Sequence, residues 1–504
     1  MLIVLSKSHA RGRLDVSFPV SPLAKAGAAM RRNSNALLLV VCLGQFMTIL
    51  DVSIVNVSLP AIQGELGFSD TGLQWVLNAY TLTFAGFLLL GGRASDLFGR
   101  RRMFFAGTLL FSAASLAAAL APSPGFLVGA RAVQGIGAAF LSPATLAIIT
   151  TSFDEGAPRN RALGVWGAIG AVGATAGVLL GGVLTDLFGW EAIFLINVPI
   201  GLAIVAFSGG LVPEGRGERE NRHFDVLGAG LVTLGMTAVT YGIVTTERLG
   251  WGALGTLLPL AAGLVLLAAF TAYEGGVARD PIVPLSVFRL RTLRAANAVI
   301  FLLYGAIFAF WFVQSLYMQG TLGFTALETG LAFLPMTLAV AAGATLAPRI
   351  ARRVGARPIL IAGMLFAAAG ELLLSGVAPG GSYAASVLPG GTIGAFGLGL
   401  ALVPATIVAV QGVPAAASGL ASGVLNTSRF VGASLGLAAL STLATSHANS
   451  EVASGTSPAT ALTDGFGLQF EVGAILCLVG ALAAWLMLRP RPEHGVAEGV
   501  AERA

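Results

Sequence analysis

The sequence predicts an all-α integral membrane protein, because its composition and the placement of its charges both suit a lipid environment. Of the 504 residues, 56% are hydrophobic and only 11% are charged, whereas soluble proteins carry about 25% charged residues. The mean hydropathy is +0.84. A chain with so few polar side chains cannot cover a soluble fold of this size, so the composition argues against a soluble helical protein.

Fourteen apolar runs are long enough to cross a membrane, since each crossing needs about 20 residues. They lie near residues 36–59, 73–92, 103–121, 125–150, 162–184, 192–212, 226–245, 253–273, 294–318, 327–347, 358–378, 384–410, 415–443 and 468–488. An even number of spans places both termini on one side. Residues 1–35 form a basic leader whose apolar start is too short for a signal peptide, with Met30 as an alternative start, and residues 489–504 form a tail.

The basic side chains predict the orientation of these spans. All but three of the 29 lysines and arginines fall on the side of the termini; Arg131 and Arg429 lie within spans, and Arg248 lies in a loop on the opposite side. Positive loops stay in the cytoplasm, so we expect both termini to be cytoplasmic. The net charge of +5 is therefore a topology signal and does not indicate nucleic-acid binding. Spans rich in Ala and Gly, in a chain with few lysines, indicate a bacterial inner membrane protein surrounded by lipid.

An internal repeat divides the chain into two halves. Gly99-Arg-Arg-Arg-Met103 and Gly107 match Gly355-Ala-Arg-Pro-Ile359 and Gly363 at a constant offset of 256 residues. Two related halves are typical of transporters that rock one bundle against the other. The predicted units are a six-helix bundle over 36–213, linkers with two inserted helices over 214–293, and a second six-helix bundle over 294–488.

Several motifs then resemble one family over residues 36 to 488. GGRASDLFGRRR (91–102) is similar to the loop between spans 2 and 3 of the major facilitator superfamily, and LVGARAVQGIGAA (127–139) to its span-4 motif. LDVSIVNVSLP (50–60) resembles span 1 of its fourteen-span drug:proton antiporters, the EmrB/QacA-like group. Further matches are WVLNAYTL (75–82), FLINVPIG (194–201) and SGLASGVLNTSRFVGASLG (418–436). The resemblance implies the major facilitator fold and multidrug efflux linked to antibiotic resistance.

Two charged residues within spans are candidates for proton coupling. Asp51 lies inside span 1, where an ionised carboxylate costs about 2.5–3.5 kcal/mol. Arg131 in span 4 cannot lose its proton, so it needs a partner, and Asp51 is the nearest acid in the same half. The resemblance assigns both residues to proton coupling. Gln134, Gly135 and Gly137 belong to the same span-4 motif as Arg131. The alternative is a purely structural clamp between helices.

Glu371 is a second acidic residue deep in a predicted span. The family pattern does not require an acid there. We interpret Glu371 as a further candidate for proton coupling or cation binding, the alternative being a group that faces a polar crevice.

The turn after span 2 is a candidate conformational gate. A carboxylate at a helix end caps a helix N-terminus or pairs with arginines, and such a contact would hold the outward-facing state. The resemblance gives this role to Gly92, Asp96, Gly99, Arg100 and Arg101, although Ala94 replaces the leucine often found in the family. The alternative is a solvated turn.

Glycines in span 5 predict close helix packing. Small residues at a four-residue spacing let two helices approach closely, and Gly173, Gly177, Gly181 and Gly182 follow this pattern. Antiporters of the family usually carry a Gly-Pro pair here, whereas this chain has Gly177-Val178. The missing proline weakens the prediction of export and leaves uptake open.

Polar and aromatic side chains of several spans are candidates to line a substrate cavity. Aromatic faces attract flat or cationic amphiphiles, although each side chain alone is equally compatible with ordinary packing, and Arg429 with a structural or gating role. The set comprises Trp75, Asn78, Tyr80, Phe308, Trp311, Gln314, Asn426 and Arg429.

We therefore predict a monomeric secondary transporter that exports amphipathic, cationic or antibiotic-like compounds in exchange for protons. No Walker-type Gly-Lys-Ser/Thr sequence is present, so an ion gradient rather than ATP is expected to supply energy. The four histidines all fall outside the spans, and we expect no metal, no cofactor and no catalytic residue. The alternatives are a proton-coupled transporter of one metabolite, in either direction, and more remotely a membrane-embedded enzyme.

Overall fold

A computed structural model describes residues 22–154, 157–213, 225–278, 281, 285–411 and 418–488, and the described residues contain helices and no strand. The tail over 489–504 lies outside them. Fourteen main helices follow one another: α1 (Pro22–Leu66), α2 (Trp75–Phe98), α3 (Arg100–Ala119), α4 (Pro124–Ser152), α5 (Ala157–Phe188), α6 (Asn197–Leu211), α7 (Val226–Leu249), α8 (Leu254–Gly276), α9 (Arg291–Leu316), α10 (Leu334–Val354), α11 (Ala356–Leu374), α12 (Leu388–Val410), α13 (Ser418–Ala453) and α14 (Pro458–Met487). Short helices over Asp70–Leu73, Ala192–Leu195 and Ala326–Ala332 precede α2, α6 and α10.

Thirteen helices in the described part of the chain are long and apolar enough to cross a membrane. The predicted span over 192–212 corresponds to a shorter apolar helix, Ala192–Ser208, in which regular helix is interrupted at Ile196, between Ala192–Leu195 and α6. Pro199 lies in the first turn of α6 and carries no N–H, so the carbonyl of Leu195 loses its helical donor. Hydropathy predicted the apolar segment but not this interruption.

Helices α1–α6 pack into one bundle and α9–α14 into a second, with α7 and α8 as a separate pair. Helix α7 contacts both α2 and α13, which places this pair beside the seam between the halves. Within the pair the helices approach closely: a Cβ added to Gly263 would lie 2.8 Å from the backbone nitrogen of Val239. The pair is thus an insertion attached to the outside of a two-bundle core.

The repeat found in the sequence has a matched geometry. Gly99 and Gly355 both adopt positive φ, 99° and 87°, at the junctions α2–α3 and α10–α11. A Cβ added to Gly107 would lie 2.7 Å from the backbone nitrogen of Leu141, and one added to Gly363 would lie 2.7 Å from that of Ala401. Each half therefore packs its third helix against its fourth in the same way.

The halves contact each other at the end remote from the arginine-rich turn. Ser315 donates to the carbonyl of Asn56 (2.6 Å) and Gln319 to that of Val57 (2.8 Å), which joins α9 to α1. The carboxylate of Asp186, in the last turn of α5, accepts from the amide N–H of Leu327 at 2.9 Å. Helices α2 and α13 form a further contact between the halves.

Close glycine packing within the halves predicts a specific loss of stability. Gly107→Ala and Gly363→Ala each push a methyl group against backbone, and overpacking typically costs about 1–3 kcal/mol. Both variants should therefore unfold at a lower temperature than the parent in a detergent thermal-shift assay. Gly129→Ala is the matched control, because nothing lies within 4 Å of its Cβ position. An equal loss of stability in Gly129→Ala would contradict this account.

Candidate functional site

The side chains of Asp51 and Arg131 form an ion pair inside the first bundle. Arg131 Nη1 lies 2.5 Å from Asp51 Oδ2, and both side chains are fully buried. The helices α1 and α4 that carry them run next to each other in the same bundle. The partner expected for Arg131 from the sequence is thus the one that the structure provides.

Further donors complete the shell of the Asp51 carboxylate. Gln134, one turn after Arg131 on α4, donates from Nε2 to Asp51 Oδ1 at 2.7 Å, and Asn197 donates from Nδ2 to the same oxygen at 3.0 Å. Gln134 Nε2 also lies 2.6 Å from Ser115 Oγ, and its Oε1 accepts from Arg131 Nη1 at 2.6 Å. All of these side chains are fully buried.

The remaining contacts of Arg131 are a carbonyl and two aromatic rings. Nε donates to the carbonyl of Val76 at 2.9 Å, while Cζ lies 4.5 Å from the ring centroid of Tyr80 and 5.6 Å from that of Phe194. The sequence analysis placed Tyr80 in a substrate cavity, but its ring is buried against Arg131. Both rings attract the guanidinium through their electron-rich faces.

The sequence analysis missed Asn197, Ser115 and Phe194 as members of this network. Asn197 and Phe194 lie in the motif FLINVPIG. Asn197 is a polar residue in an apolar run, and this was the signal by which it could have been predicted. Ser115 gave no such signal, because isolated serines are common in membrane helices.

The broken sixth span has a consequence at this site. Asn197 is the first residue of α6 and follows the break at Ile196. Its side chain enters the polar centre of the bundle at a point where the helix is interrupted, while its Oδ1 has no hydrogen-bond partner. The local break and the polar network therefore occur at the same position.

The hydrogen bonds of this pair link several helices. The Asp51 carboxylate accepts three hydrogen bonds, and Arg131 cannot become neutral by losing a proton. The Asp51–Arg131 pair thus joins helices α1 and α4, and its part in proton coupling stays a prediction.

Glu371 lies in the other half and does not join this network. Glu371 was predicted deep in a span, whereas it lies in the last turn of α11. Its side chain is nevertheless buried, with only 1% of its surface exposed. A Cβ on Gly473 of α14 would lie 3.0 Å from both carboxylate oxygens, and Oε1 has no hydrogen-bond partner among the described residues. At the repeat offset, Glu371 takes the place of Ser115.

The gate candidates surround the α2–α3 junction. Gly99 provides the positive φ of 99° that joins the two helices. Arg101 lies over the ring of Phe105 at 5.8 Å, Arg100 is the first residue of α3, and a Cβ on Gly92 would lie 3.8 Å from Pro143. The side chain of Asp96 lies outside the described residues, so its gating contact stays a prediction.

The predicted glycines of α4 and α5 lie at helix contacts. On α4, a Cβ on Gly135 would meet the carbonyl of Tyr80, and one on Gly137 would lie 2.6 Å from the backbone nitrogen of Phe111. On α5, three of the four predicted glycines face α1, the helix of Asp51, at Ile49, Ser53 and Ile54: Gly173, Gly177 and Gly181.

Gly182 contacts the other half instead. A Cβ on Gly182 would lie 2.6 Å from the carbonyl of Ala326, beside the segment that the carboxylate of Asp186 caps. The glycine stripe on α5 therefore serves two interfaces, one within its own half and one across the seam.

The cavity candidates do not form one common lining. Trp75 packs against Tyr241 of α7, with the ring centroids 6.4 Å apart. Asn78 is fully buried and accepts from Ser434 across the seam at 2.9 Å. On α9, Gln314 is buried and donates to the carbonyl of Phe310 at 3.3 Å. Asn78 and Gln314 thus have partners within the protein, and a substrate cavity that includes Trp75, Asn78 and Gln314 stays a prediction.

The other candidates remain at least partly accessible. Trp311 packs on Phe310 and Phe333 with centroids 5.6 and 5.1 Å apart, and Phe308 is partly buried on the same helix. Asn426 is exposed on α13. Arg429, one turn later, is half-buried over the ring of Tyr304 at 4.3 Å.

A comparison with protein families matches the Major Facilitator Superfamily model over residues 41–437. The chain belongs to the major facilitator superfamily. Its fourteen-helix arrangement and its repeat agree with this assignment, and the resemblance stated from the sequence motifs is confirmed.

Curated members of the superfamily resemble the chain along most of its length. A puromycin resistance protein of Streptomyces alboniger is 38% identical, over 94% of this chain and 95% of that protein. A cephamycin export protein of Amycolatopsis lactamdurans is 37% identical, over 86% and 90%. A multidrug resistance protein, Stp, of Mycobacterium tuberculosis is 36% identical, over 82% and 76%.

Solved structures share the fold at low sequence identity. The POT family transporter PepTSo superposes with a TM-score of 0.67 and 17% identity, over 90% of this chain and 97% of that chain. The inward-open xylose transporter XylE of E. coli gives 0.62 and 14%, over 92% and 98%. At these identities the likeness shows the fold alone.

The hydrogen bond from Asn197 predicts a loss of stability. Asn197→Leu removes one donor from the buried Asp51 carboxylate, and hydrogen bonds to charged groups contribute about 1.5–3 kcal/mol. The variant should therefore unfold at a lower temperature than the parent in a detergent thermal-shift assay.

The matched control is Asn426→Leu, at an exposed asparagine of the other half. It should unfold at the same temperature as the parent. An unchanged unfolding temperature in Asn197→Leu would contradict the role given to this donor.

Proposed function

We propose that the protein exports antibiotic-like amphipathic compounds across the bacterial inner membrane in exchange for protons. The observation that carries the proposal is the buried Asp51–Arg131 pair, closed by Gln134 and Asn197, inside a superfamily fold. The relatives named for puromycin resistance, cephamycin export and multidrug resistance support the direction and the class of cargo. Because the superfamily consists of transporters, we do not propose the enzymatic alternative.

In the proposed cycle proton and cargo compete for one site or one conformation, and Asp51 is the residue that takes up the proton. A proton arriving from outside neutralises Asp51, weakens its contact with Arg131 and favours release of the cargo. Loss of this proton to the cytoplasm restores the pair and resets the carrier. A membrane potential of about 100 mV contributes roughly 2.3 kcal/mol per charge moved.

The contacts between the halves support an assignment of sidedness. The hydrogen bonds Ser315–Asn56, Gln319–Val57 and Leu327–Asp186 all lie at the arginine-poor end. With the termini in the cytoplasm, as the positive-inside rule predicts, this end faces outward. We therefore assign the structure to an inward-facing state of a monomeric carrier, whose gate at Gly99 to Arg101 would close the opposite end.

We propose Glu371 as a second proton site. Its carboxyl group is buried in the second half, lies against Gly473 and has Oε1 without a hydrogen-bond partner among the described residues. In this proposal it carries a proton through the cycle without an ion pair.

The range of cargo has two candidates. The relatives include proteins named for one antibiotic and one named for multidrug resistance, so a transporter of a single compound remains a second proposal. A panel of cationic and zwitterionic dyes in the same efflux assay distinguishes a broad range from a narrow one.

Ethidium efflux from energised bacterial cells tests the proposed exchange. Asp51→Asn should abolish efflux because it removes the protonatable carboxyl group, and a protonophore should abolish it in the parent because it collapses the proton gradient. Glu371→Gln should retain efflux but carry fewer protons per ethidium. The control is Asp464→Asn, which neutralises an exposed acid on α14 and should leave efflux unchanged.

Two outcomes would contradict the proposal. Unimpaired efflux in Asp51→Asn would exclude Asp51 as the coupling carboxylate and leave Glu371 as the candidate. Accumulation of ethidium in energised cells that express the parent protein would reverse the proposed direction.

A further inference from the structure

Arg429 lies inside a membrane helix as Arg131 does, but within the described part of the chain no acidic side chain pairs with it. The ion pairs Arg131–Asp51 and His447–Glu451 do not involve Arg429. Its Nε is buried and has no hydrogen-bond partner within the same part of the chain. A guanidinium cannot become neutral, so Arg429 holds an uncompensated positive charge inside a membrane helix.

Aromatic rings hold the Arg429 side chain in place. Its Cζ lies 4.3 Å from the ring centroid of Tyr304 on α9 and 5.4 Å from that of Phe430. Next to it, Ser428 donates to Asn297 Oδ1 at 2.7 Å, which fixes α13 against α9. The guanidinium is thus positioned by stacking, which leaves its N–H groups available to an acceptor.

The surroundings of Arg429 are open to a ligand. Arg429 is half-buried rather than enclosed, and Asn426, one turn earlier on α13, is exposed. Phe430 contacts Phe84 of α2 with centroids 4.5 Å apart, so Arg429 lies beside the seam where the two halves meet. A ligand held between the halves would reach both the planar guanidinium and the Asn426 amide.

We propose that Arg429 binds an anionic group, a carboxylate in the first instance, on the exported compound. The planar guanidinium matches a carboxylate with two parallel hydrogen bonds, and the Asn426 amide is placed on the same helix to assist. This inference rests on the proposed export function and gives the cargo a chemical class. It replaces the cationic cargo expected from the sequence.

Charge compensation explains why the cargo class changes. Asp51, a buried acid that would otherwise attract a cationic compound, is already paired with Arg131. The faces of Tyr304 and Phe430, which would attract a cation, already carry the Arg429 guanidinium. An acidic or zwitterionic amphiphile therefore matches the unpaired positive charge of Arg429 better than a simple cation does.

The same rings connect this subsite with the proton site. Phe84 stacks on Tyr80 with centroids 5.9 Å apart, and Tyr80 lies beneath Arg131 at 4.5 Å. An unbroken series of side-chain contacts thus runs from Arg429 through Phe430, Phe84 and Tyr80 to Arg131. Arg131 contacts Tyr80 of α2, and Arg429 lies on α13, so each arginine lies next to one of the two helices that meet at the seam.

A matched pair of dyes tests the carboxylate subsite. Rhodamine B carries a free carboxylate, whereas its ethyl ester has the same ring system without that charge. Binding to the purified full chain in lipid nanodiscs is measured by fluorescence anisotropy. The parent should bind the acid about 10- to 100-fold more tightly than the ester, which is the effect expected of hydrogen bonds to a charged group.

Variants then assign this preference to the side chain. Arg429→Gln should lower the affinity for the acid to that for the ester and leave ester binding unchanged. Arg429→Lys should keep part of the preference, because it retains the charge but loses the planar pair of donors. Arg353→Gln, which removes an exposed arginine at the end of α10, should behave like the parent.

Three outcomes would overturn the proposal: a parent that binds neither dye, equal affinities of the parent for acid and ester, or an equal loss of both ligands in Arg429→Gln. Its failure is distinguishable from that of the proposed function. Proton-driven ethidium efflux with no preference for the acid would leave the exporter and refute the subsite. A preference for the acid without any efflux would leave the subsite and refute the exporter.

Discussion

The positive charge of Arg131 is permanent, and much of the first half is arranged around it. A buried guanidinium needs compensation in a membrane, and it receives a carboxylate from α1, an amide from its own helix, a carbonyl and a ring from α2, and a second ring from the turn before α6. Four segments of the chain therefore meet at one side chain. Neutralising Asp51 would disturb all of these contacts at once.

Glycine packing gives this polar centre its rigid frame. The α5 glycines bring that helix against α1, and Gly135 and Gly137 bring α4 against α2 and α3. Because backbones touch at these positions, a helix cannot shift without displacing its neighbour. A change at Asp51 is then transmitted as a movement of whole helices, consistent with rocking bundles.

The two halves share a frame and differ in chemistry. The third helices pack on the fourth helices in the same way, yet Ser115 of the first half corresponds to Glu371 of the second. The first half holds a paired carboxylate and a paired guanidinium, whereas the second holds an acid and an arginine, Arg429, that do not pair with each other. Related backbones thus carry a proton site in one half and, in our proposal, a cargo site in the other.

Hydropathy, the repeat and the motifs predicted most of the fold and the central pair. Thirteen long spans, the shorter apolar helix Ala192–Ser208 and the partnership of Arg131 with Asp51 followed from the sequence, because all of them depend on the cost of placing polar groups in lipid. The break at Ile196 did not follow, since it depends on Pro199 and on the contact of Asn197. The burial of Tyr80 under Arg131 did not follow from the sequence either, because contacts between side chains of different helices depend on how each helix is rotated and shifted relative to its neighbour.

Proton release on cargo binding tests the central claim most directly. Rhodamine B, which carries the carboxylate that Arg429 is proposed to bind, is added to the purified protein in weakly buffered detergent solution, and the released protons are measured with a pH-sensitive dye. The account predicts release from the parent and from Glu371→Gln, and a loss of this release in Asp51→Asn. Equal proton release from Asp51→Asn and the parent would show that proton and cargo do not compete at the Asp51–Arg131 pair.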